Sequence, residues 1–577
     1  MSAPDFTLRA NFSHEDKEAK GLRSLREPQV APMPPVYYTA IEVAEMYPRL
    51  LLLGERGAGK SVLARKLATQ HAATLIDLAA TGLPASLPEG NLVLDGIDRL
   101  GPDCEAVLLD LLVDLGERGV ILLGDGAVVR AWRLPTGYSV HSLLPLTQAE
   151  RAQYLAVTGQ QHQAPLSPAA ANPALFALAL SVEQAVDTPE DLIDAAFDDN
   201  PARAARAFAS VADNSSHNRA VDDVLAARHL QTYDDVAIAA LFLGDPLKWS
   251  FSLQSLLRRD ASIARRLAPH LLAQDSDAAL KGALLICGQD ISTPVQQKLL
   301  LIVEQGRLSL PERDEAARHL ARLGDPRDLE RLCPIPGSSF TMGSGTHPNS
   351  QPVHTATVGP FGIGAFPVTN GAYARFVEAT NRSWHSPEAS IPERRNAPAT
   401  DLTWHDARAY CAWLTEQWRR SGRIGTSEIV RLPTEPEWER AARGDQPDAG
   451  AEITYPWGLG WNTAALNSEE SGVNAPCAVG LFPLGASPYG CLDMAGQIWE
   501  WTTTLWGSDM ATPSFAYPYR DDGRENIGAP ADIRRVLRGG CFSSTSLKAC
   551  CTYRGSLEPN GFWRGNGFRI VVSDALD

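Results

Sequence analysis

The short apolar run from Arg49 to Leu53 passes directly into Gly54-Glu55-Arg56-Gly57-Ala58-Gly59-Lys60-Ser61, and Val62 to Thr69 continue with helical periodicity. A buried strand, a glycine-rich turn and a helix start in that order leave few folds open. Glycines let backbone N–H groups turn toward phosphate oxygens, and the helix N-terminus adds positive potential. The spacing predicts a nucleotide cradle shaped by Gly54, Gly57 and Gly59. Lys60 is expected to reach the β- and γ-phosphates, and the Ser61 hydroxyl to ligate Mg2+.

A second apolar run, Asn91-Leu92-Val93-Leu94, ends in Asp95-Gly96-Ile97-Asp98. An acid at the end of such a strand suits a Mg2+-associated carboxylate, so Asp95 takes that role and Asp98 is expected to act catalytically by orienting the attacking water. The competing reading of Asp98 is a cap for the next helix. Val120 to Leu123 supply another core strand, which makes the sheet parallel and helix-covered, an α/β domain.

Leu143-Leu144-Pro145-Leu146-Thr147 opens a helical region, and Asn172-Pro173-Ala174-Leu175 and Val224 to Leu230 follow. Over residues 36 to 240 this order resembles the NACHT-type branch of the STAND P-loop NTPases. The resemblance implies a switch held by ATP or GTP with Mg2+, with Pro173 meeting the nucleotide base from a lid. Arg56 stands where that family usually has proline, Arg99 where glutamate is common, and Gly124-Asp125-Gly126 where a Ser-Arg sensor is usual. Binding with slow or absent hydrolysis is the expectation.

At 577 residues the chain exceeds one core, and length alone suggests three to four domains. The net charge of −16 excludes a broad electrostatic footprint for nucleic acid. No stretch approaches the apolar length of a membrane span, and the first thirty residues lack a signal-type apolar segment. Nine cysteines scattered without paired spacing read as reduced thiols in a cytoplasm. The expected multidomain layout is an N-terminal extension (1–35), a P-loop core (36–150), a helical lid or winged-helix-like region (151–240), an all-α HEAT-like connector (241–333) and an α+β domain (334–577). The extension is too short for an effector domain, so output is expected through a downstream partner chain or a nucleotide-dependent oligomer.

Eleven of the 13 tryptophans fall from Trp384 onward. Segments such as Arg431-Leu432-Pro433-Thr434-Glu435, Tyr455-Pro456-Trp457-Gly458 and Asp493-Met494-Ala495-Gly496-Gln497-Ile498-Trp499-Glu500-Trp501 suit an irregular fold held by aromatic packing. From about 334 to 572 they resemble the formylglycine-generating enzyme domain, a variant of the C-type lectin fold. Enzymes of that family use two cysteines after the Arg-Gly-Gly to bind copper. Here Cys541 follows Arg538-Gly539-Gly540 directly, Ser544 stands near the first-thiol position, and Cys550 and Cys551 are adjacent. A soft cuprous ion needs a thiolate pair, and neighbouring side chains on an extended chain diverge. Oxidase chemistry is therefore the alternative, and binding without chemistry the main expectation.

The frame from Arg535-Val536-Leu537-Arg538-Gly539-Gly540 to Gly567-Phe568-Arg569 resembles the variable regions of proteins diversified by retroelements. The filler has no helix or strand period. It is expected to display Phe542, Ser543, Ser544, Thr545, Tyr553, Ser556, Phe562 and Trp563 to a protein or other macromolecular ligand, with Trp563 the tryptophan least expected in the core. The family resemblance also implies a structural Ca2+ near Gln497 and Glu500, although glutamine replaces the usual asparagine.

Overall fold

The computed structural model describes residues 6–13, 36–100, 102–115, 118–129, 134–135, 137–197, 200–213, 219–289, 292–446, 450, 452–471 and 473–574. Most of the 1–35 extension lies outside them. The chain forms two compact units, one built mainly from Tyr37–Ile302 and the other mainly from Arg313–Asp577.

In the first unit, β1 (Arg9–Ser13) pairs with β2 (Tyr37–Thr39), and five strands form a parallel sheet: β3 (Arg49–Gly54), β4 (Thr74–Asp77), β5 (Leu92–Asp95), β6 (Val120–Asp125) and β7 (Ser139–Ser142), in the order β4-β5-β6-β3-β7. Alternate residues point to opposite faces. Leu50, Leu52 and Leu123 join one apolar cluster with Leu63 and Leu67 of the helix Lys60–Gln70. Leu51, Leu53 and Leu122 join another with Leu108 and Leu112 of the helix Pro102–Val113. Burial on both faces explains the unbroken apolar runs. Leu8, Ala10 and Phe12 lie in the first of these clusters, so this part of the expected extension belongs to the core.

No strand occurs among the described residues of 151–240, which corrects the winged-helix-like reading. Side chains of Thr147, Asn172, Thr188 and Asn200 cap successive helix starts there, so each helix begins soon after the last one ends. Helices Asp235–Gly244, Pro246–Arg259, Ser262–Leu271, Asp277–Ile286 and Thr293–Glu304 follow with short turns. Gly282 lets helices approach closely: a Cβ there would stand 3.2 Å from Leu271 and 3.6 Å from Phe242.

The expected boundary at 334 shifts. From Arg313 onward the helix Leu310–Leu323 belongs to the second unit, because Arg313 donates to the Leu481 carbonyl, Asp314 accepts from Ala478 N (3.1 Å) and the Ala317 carbonyl accepts from Asn396 (2.8 Å).

That unit holds β8 (Leu332–Ile335), β9 (Ser338–Met342), β10 (His354–Val358), β11 (Phe361–Gly364), β12 (Glu428–Arg431), β13 (Thr454–Tyr455), β14 (Gly458–Leu459), β15 (Trp499–Gly507), β16 (Arg534–Arg538), β17 (Gly555–Leu557), β18 (Asn566–Gly567) and β19 (Val571–Asp574). The last strand sits between β12 and β11 in the sheet β12-β19-β11-β8, so the two ends of the domain close on each other. A second sheet runs β17-β16-β15-β18. Trp404, Trp438, Trp499, Trp501 and Trp506 are fully buried, as are Arg538, Arg554 and Arg569. Such arginines need partners. Glu435 takes Arg538 and Arg554 at 2.7 Å each. Burial opposes its charge, but Arg554 and Arg538 outweigh burial and hold the carboxyl below its usual range.

Candidate functional site

The glycine-rich loop joins β3 to the helix Lys60–Gln70, with Gly57 and Gly59 at φ +83° and +84°. Only glycine takes that conformation without strain. Gly57 is also pressed by the start of the helix Pro173–Ala179, since a Cβ there would lie 2.6 Å from Asn172 Oδ1. Asn172 donates to the Arg56 carbonyl (2.8 Å) and Ala174 N to the Gly57 carbonyl (3.2 Å). Pro173 Cγ lies 4.0 Å from where a Gly59 Cβ would be, so this proline faces the loop itself.

Lys60 Nζ donates to the carbonyls of Gly54 (2.6 Å) and Glu55 (2.9 Å). Burial lowers its pKa, and the carboxylates of Asp125, Asp98 and Asp95 act against that. Burial raises the pKa of Asp95, while a hydrogen bond from the Ser61 side chain pulls it down. Asp98 lies on a single 3-10 turn after Gly96; its Oδ1 is buried with no hydrogen-bond partner and its Oδ2 stands 3.5 Å from Arg99 Nε. A magnesium–polyphosphate group fits this donor set: backbone N–H groups and one ammonium for phosphate oxygens, one hydroxyl and one carboxylate for a hard cation that keeps several waters. The structure thus gathers Gly54, Gly57, Gly59, Lys60, Ser61, Asp95, Asp98 and Pro173 in one neighbourhood. Asp125, at the end of β6 and level with Gly54, is the neighbour that motif reading passed over as a missing sensor.

In the second unit, β16 is followed by Gly539 and Gly540, both at positive φ. A Cβ on Gly540 would stand 2.8 Å from Ala549 Cα, so the closing segment folds tightly over its own frame. Phe542 and Trp563 face each other at 5.5 Å within a core that includes Leu537, Trp499, Trp501 and Phe568. The expectation that Trp563 is displayed is corrected: it is 4% exposed. Phe562 is buried as well, and so are Ser543, Ser544 and Ser556. Ser544 Oγ accepts from Cys541 N (3.0 Å), and Ser556 Oγ accepts from Arg534 (2.9 Å). Thr545 is exposed, Ser546, Leu547 and Lys548 are partly so, and Tyr553 is half-buried against His347 at 4.8 Å. Beside this rim Tyr455 donates to the Ser546 carbonyl (3.2 Å) and stacks on the half-buried Trp457 at 5.0 Å.

Burial pushes the thiols of Cys541, Cys550 and Cys551 up, and Cys541 and Cys550 also lie within hydrogen-bonding reach of nearby oxygens. Burial thus disfavours the thiolate pair that a cuprous ion requires, so that set suits the ion poorly. Gln497 and Glu500 do not fit Ca2+ either. Gln497 Oε1 accepts from Asn467 (2.8 Å) and Cys477 N (3.0 Å), and Glu500 accepts from Arg569 (2.6 and 2.8 Å) and Trp438 (2.7 Å). Among the described residues no group of three or more His, Cys, Asp or Glu side chains is placed to hold a metal ion. No helix among them is long and apolar enough to cross a membrane.

Residues 323–574 match the sulfatase-modifying factor enzyme 1-like domain, which gives this part a C-type-lectin-like fold. The chain is 32% identical over 245 residues to the hercynine oxygenase of Mycolicibacterium smegmatis, a match that covers 36% of this chain and 53% of that protein. It therefore spans about half the length of that relative. It is 31% identical over 241 residues to the formylglycine-generating enzyme of Mycobacterium tuberculosis, covering 30% of this chain and 74% of that protein. Treponema denticola variable protein 1 aligns with a TM-score of 0.31 at 19% identity, covering 42% of this chain and 94% of that one.

Proposed function

The chain belongs to the sulfatase-modifying factor enzyme 1-like family through residues 323–574, and on that premise we propose that it is a nucleotide-held switch whose lectin-fold domain binds a ligand without modifying it. The observation that carries the switch is Lys60, an ammonium folded onto the Gly54 and Glu55 carbonyls of its own loop, beside the Ser61 hydroxyl and the Asp95 carboxyl. Those are contacts that phosphate oxygens and Mg2+ would replace. The ligand meets Thr545, Ser546, Lys548 and Tyr553, the outward part of the closing segment, and reads out as a change in nucleotide-dependent conformation through unequal affinity for two states. The ligand is a protein or another macromolecule, and output passes to a partner chain or an oligomer in the cytoplasm. Calorimetric titration of the full chain with ATP, ADP and GTP in the presence of Mg2+ tests the reading. Saturable binding supports it, and its absence for all three sinks it.

The identity to the formylglycine-generating enzyme supports a second reading, oxidation of a substrate cysteine. Against it stand Ser544 near the first-thiol position and the burial that raises the thiols of Cys541 and Cys550. Copper-dependent oxygen uptake with a cysteine peptide, lost in Cys550→Ser, would establish this second reading in place of the first.

A further inference from the structure

Arg56 sits on the bend of the nucleotide loop, yet its guanidinium is engaged outside it. Its Nε lies 3.5 Å from Asp125 and one terminal nitrogen 3.0 Å from Asp223, on the helix Arg219–Leu230. The other terminal nitrogen donates to the Leu247 carbonyl (3.2 Å), and the group lies over the Phe251 ring at 4.8 Å, both on the helix Pro246–Arg259. One side chain thus ties the loop to the sheet and to two helices. Asp125 and Asp223 are buried, whereas Arg56 keeps a fifth of its side chain in solvent.

A guanidinium grips carboxylate and phosphate with the same planar fork, and phosphate offers more charge. Release from Asp223 strands no buried charge, because Asp223 keeps Arg219 Nε at 3.0 Å and the Ser252 hydroxyl at 2.8 Å. Arg219 and Ser252 both hold Oδ1 and Arg56 holds Oδ2, so release leaves one oxygen to find a new donor while the charge stays paired, which avoids the main penalty of breaking a buried bridge. Nothing comparable backs up Lys60, whose ammonium is held by loop carbonyls alone among its hydrogen bonds.

We propose that Arg56 is the residue through which this chain senses its nucleotide. Its guanidinium fastens the loop to the helices Arg219–Leu230 and Pro246–Arg259, and a bound triphosphate draws it off Asp223 and Leu247 and frees those helices. The proposal rests on the nucleotide reading above, and Arg56 acts in it as a positioning residue.

Hydrogen–deuterium exchange of the full chain tests it, with the non-hydrolysable triphosphate AMP-PNP and Mg2+ as the probe. In the wild-type protein, exchange across 219–230 and 246–259 should rise about tenfold on saturation, the scale of one charge-assisted pair. In Arg56→Ala those helices should exchange at the raised rate without nucleotide and change no further on binding it. Asp223→Asn leaves the loop sequence intact and should behave alike, which keeps the test open if Arg56→Ala fails to fold. A variant that binds AMP-PNP and retains the wild-type exchange response overturns the sensor role alone. Wild-type protein that binds no nucleotide overturns the sensor role and the switch together.

Discussion

Lys60 donates its ammonium to the carbonyl of Gly54, 2.6 Å away and six residues earlier in the chain. The loop thus holds its own lysine, the group that the proposed switch would turn to phosphate. Exchange of two carbonyl contacts for phosphate oxygens gains charge-assisted bonds worth roughly 1.5–3 kcal/mol each. Lys60→Ala should weaken Mg2+-nucleotide binding by about a hundredfold or more, measured by calorimetry. Denaturation of the second unit, followed by tryptophan fluorescence, should stay unchanged, because eleven of the 13 tryptophans fall at or after Trp384.

Asp98 differs from Asp95 in what its oxygens do. The Ser61 hydroxyl works against the burial that raises the Asp95 carboxyl, whereas Asp98 Oδ1 is buried and unpartnered. An acceptor held without a donor suits a water that arrives with the substrate. Asp98→Asn should leave nucleotide affinity within about threefold and cut phosphate release by about a hundredfold or more, the usual range for a lost general base. Equal release rates in variant and wild type would make Asp98 a structural acid.

The strand, glycine-rich turn and helix start around Lys60 were legible because they occupy consecutive positions. The alternation of Leu50 and Leu52 with Leu51 and Leu53 between two clusters is equally local. Arg56 and Asp223 are 167 residues apart, and no spacing encodes their meeting. Leu8, Ala10 and Phe12 do alternate, but over too few residues to stand out from a polar N-terminus. The closing segment misled for another reason. Its lack of period suggests exposure, but an irregular backbone aims side chains inward wherever a neighbouring strand offers a hole, as Leu537, Trp499 and Trp501 do for Phe542 and Trp563.

That distinction has a mutational consequence. Phe542→Ala opens a cavity in a closed core and should cost about 3–5 kcal/mol, read as a fall in the urea midpoint. Substitution of Thr545, on the outward rim, should shift stability by less than about 0.5 kcal/mol. A library randomised at Thr545, Ser546, Leu547 and Lys548 should keep most members folded, whereas one randomised at Phe542, Phe562 and Trp563 should not. Equal tolerance in the two libraries would remove the rim from the ligand reading.

Asp493 gives the second unit a stability that depends on pH in an unusual direction. Its carboxyl is buried, accepts from Gly480 N at 2.8 Å, and is pushed up to about 6 by that burial, with Arg569 only partly offsetting it. The folded value exceeds the unfolded one of about 3.9, so between pH 4 and 6 the folded state holds a proton that the unfolded chain has released. Stability from this group therefore falls as pH rises through that window, by about 1.4 kcal/mol per unit, and levels off above 6. His347, His354 and His405 act oppositely, since burial depresses each and the unfolded chain then binds the extra proton below its ordinary value. A comparison of wild type with Asp493→Asn isolates the aspartate. The amide keeps an acceptor for Gly480 N and cannot ionise, so urea titrations at pH 4.5, 5.5 and 7 should show the variant gaining on the wild type by about 2 kcal/mol across the series. A constant difference across the three pH values would mean that Asp493 stays ionised in the fold, with the Arg569 charge outweighing its burial.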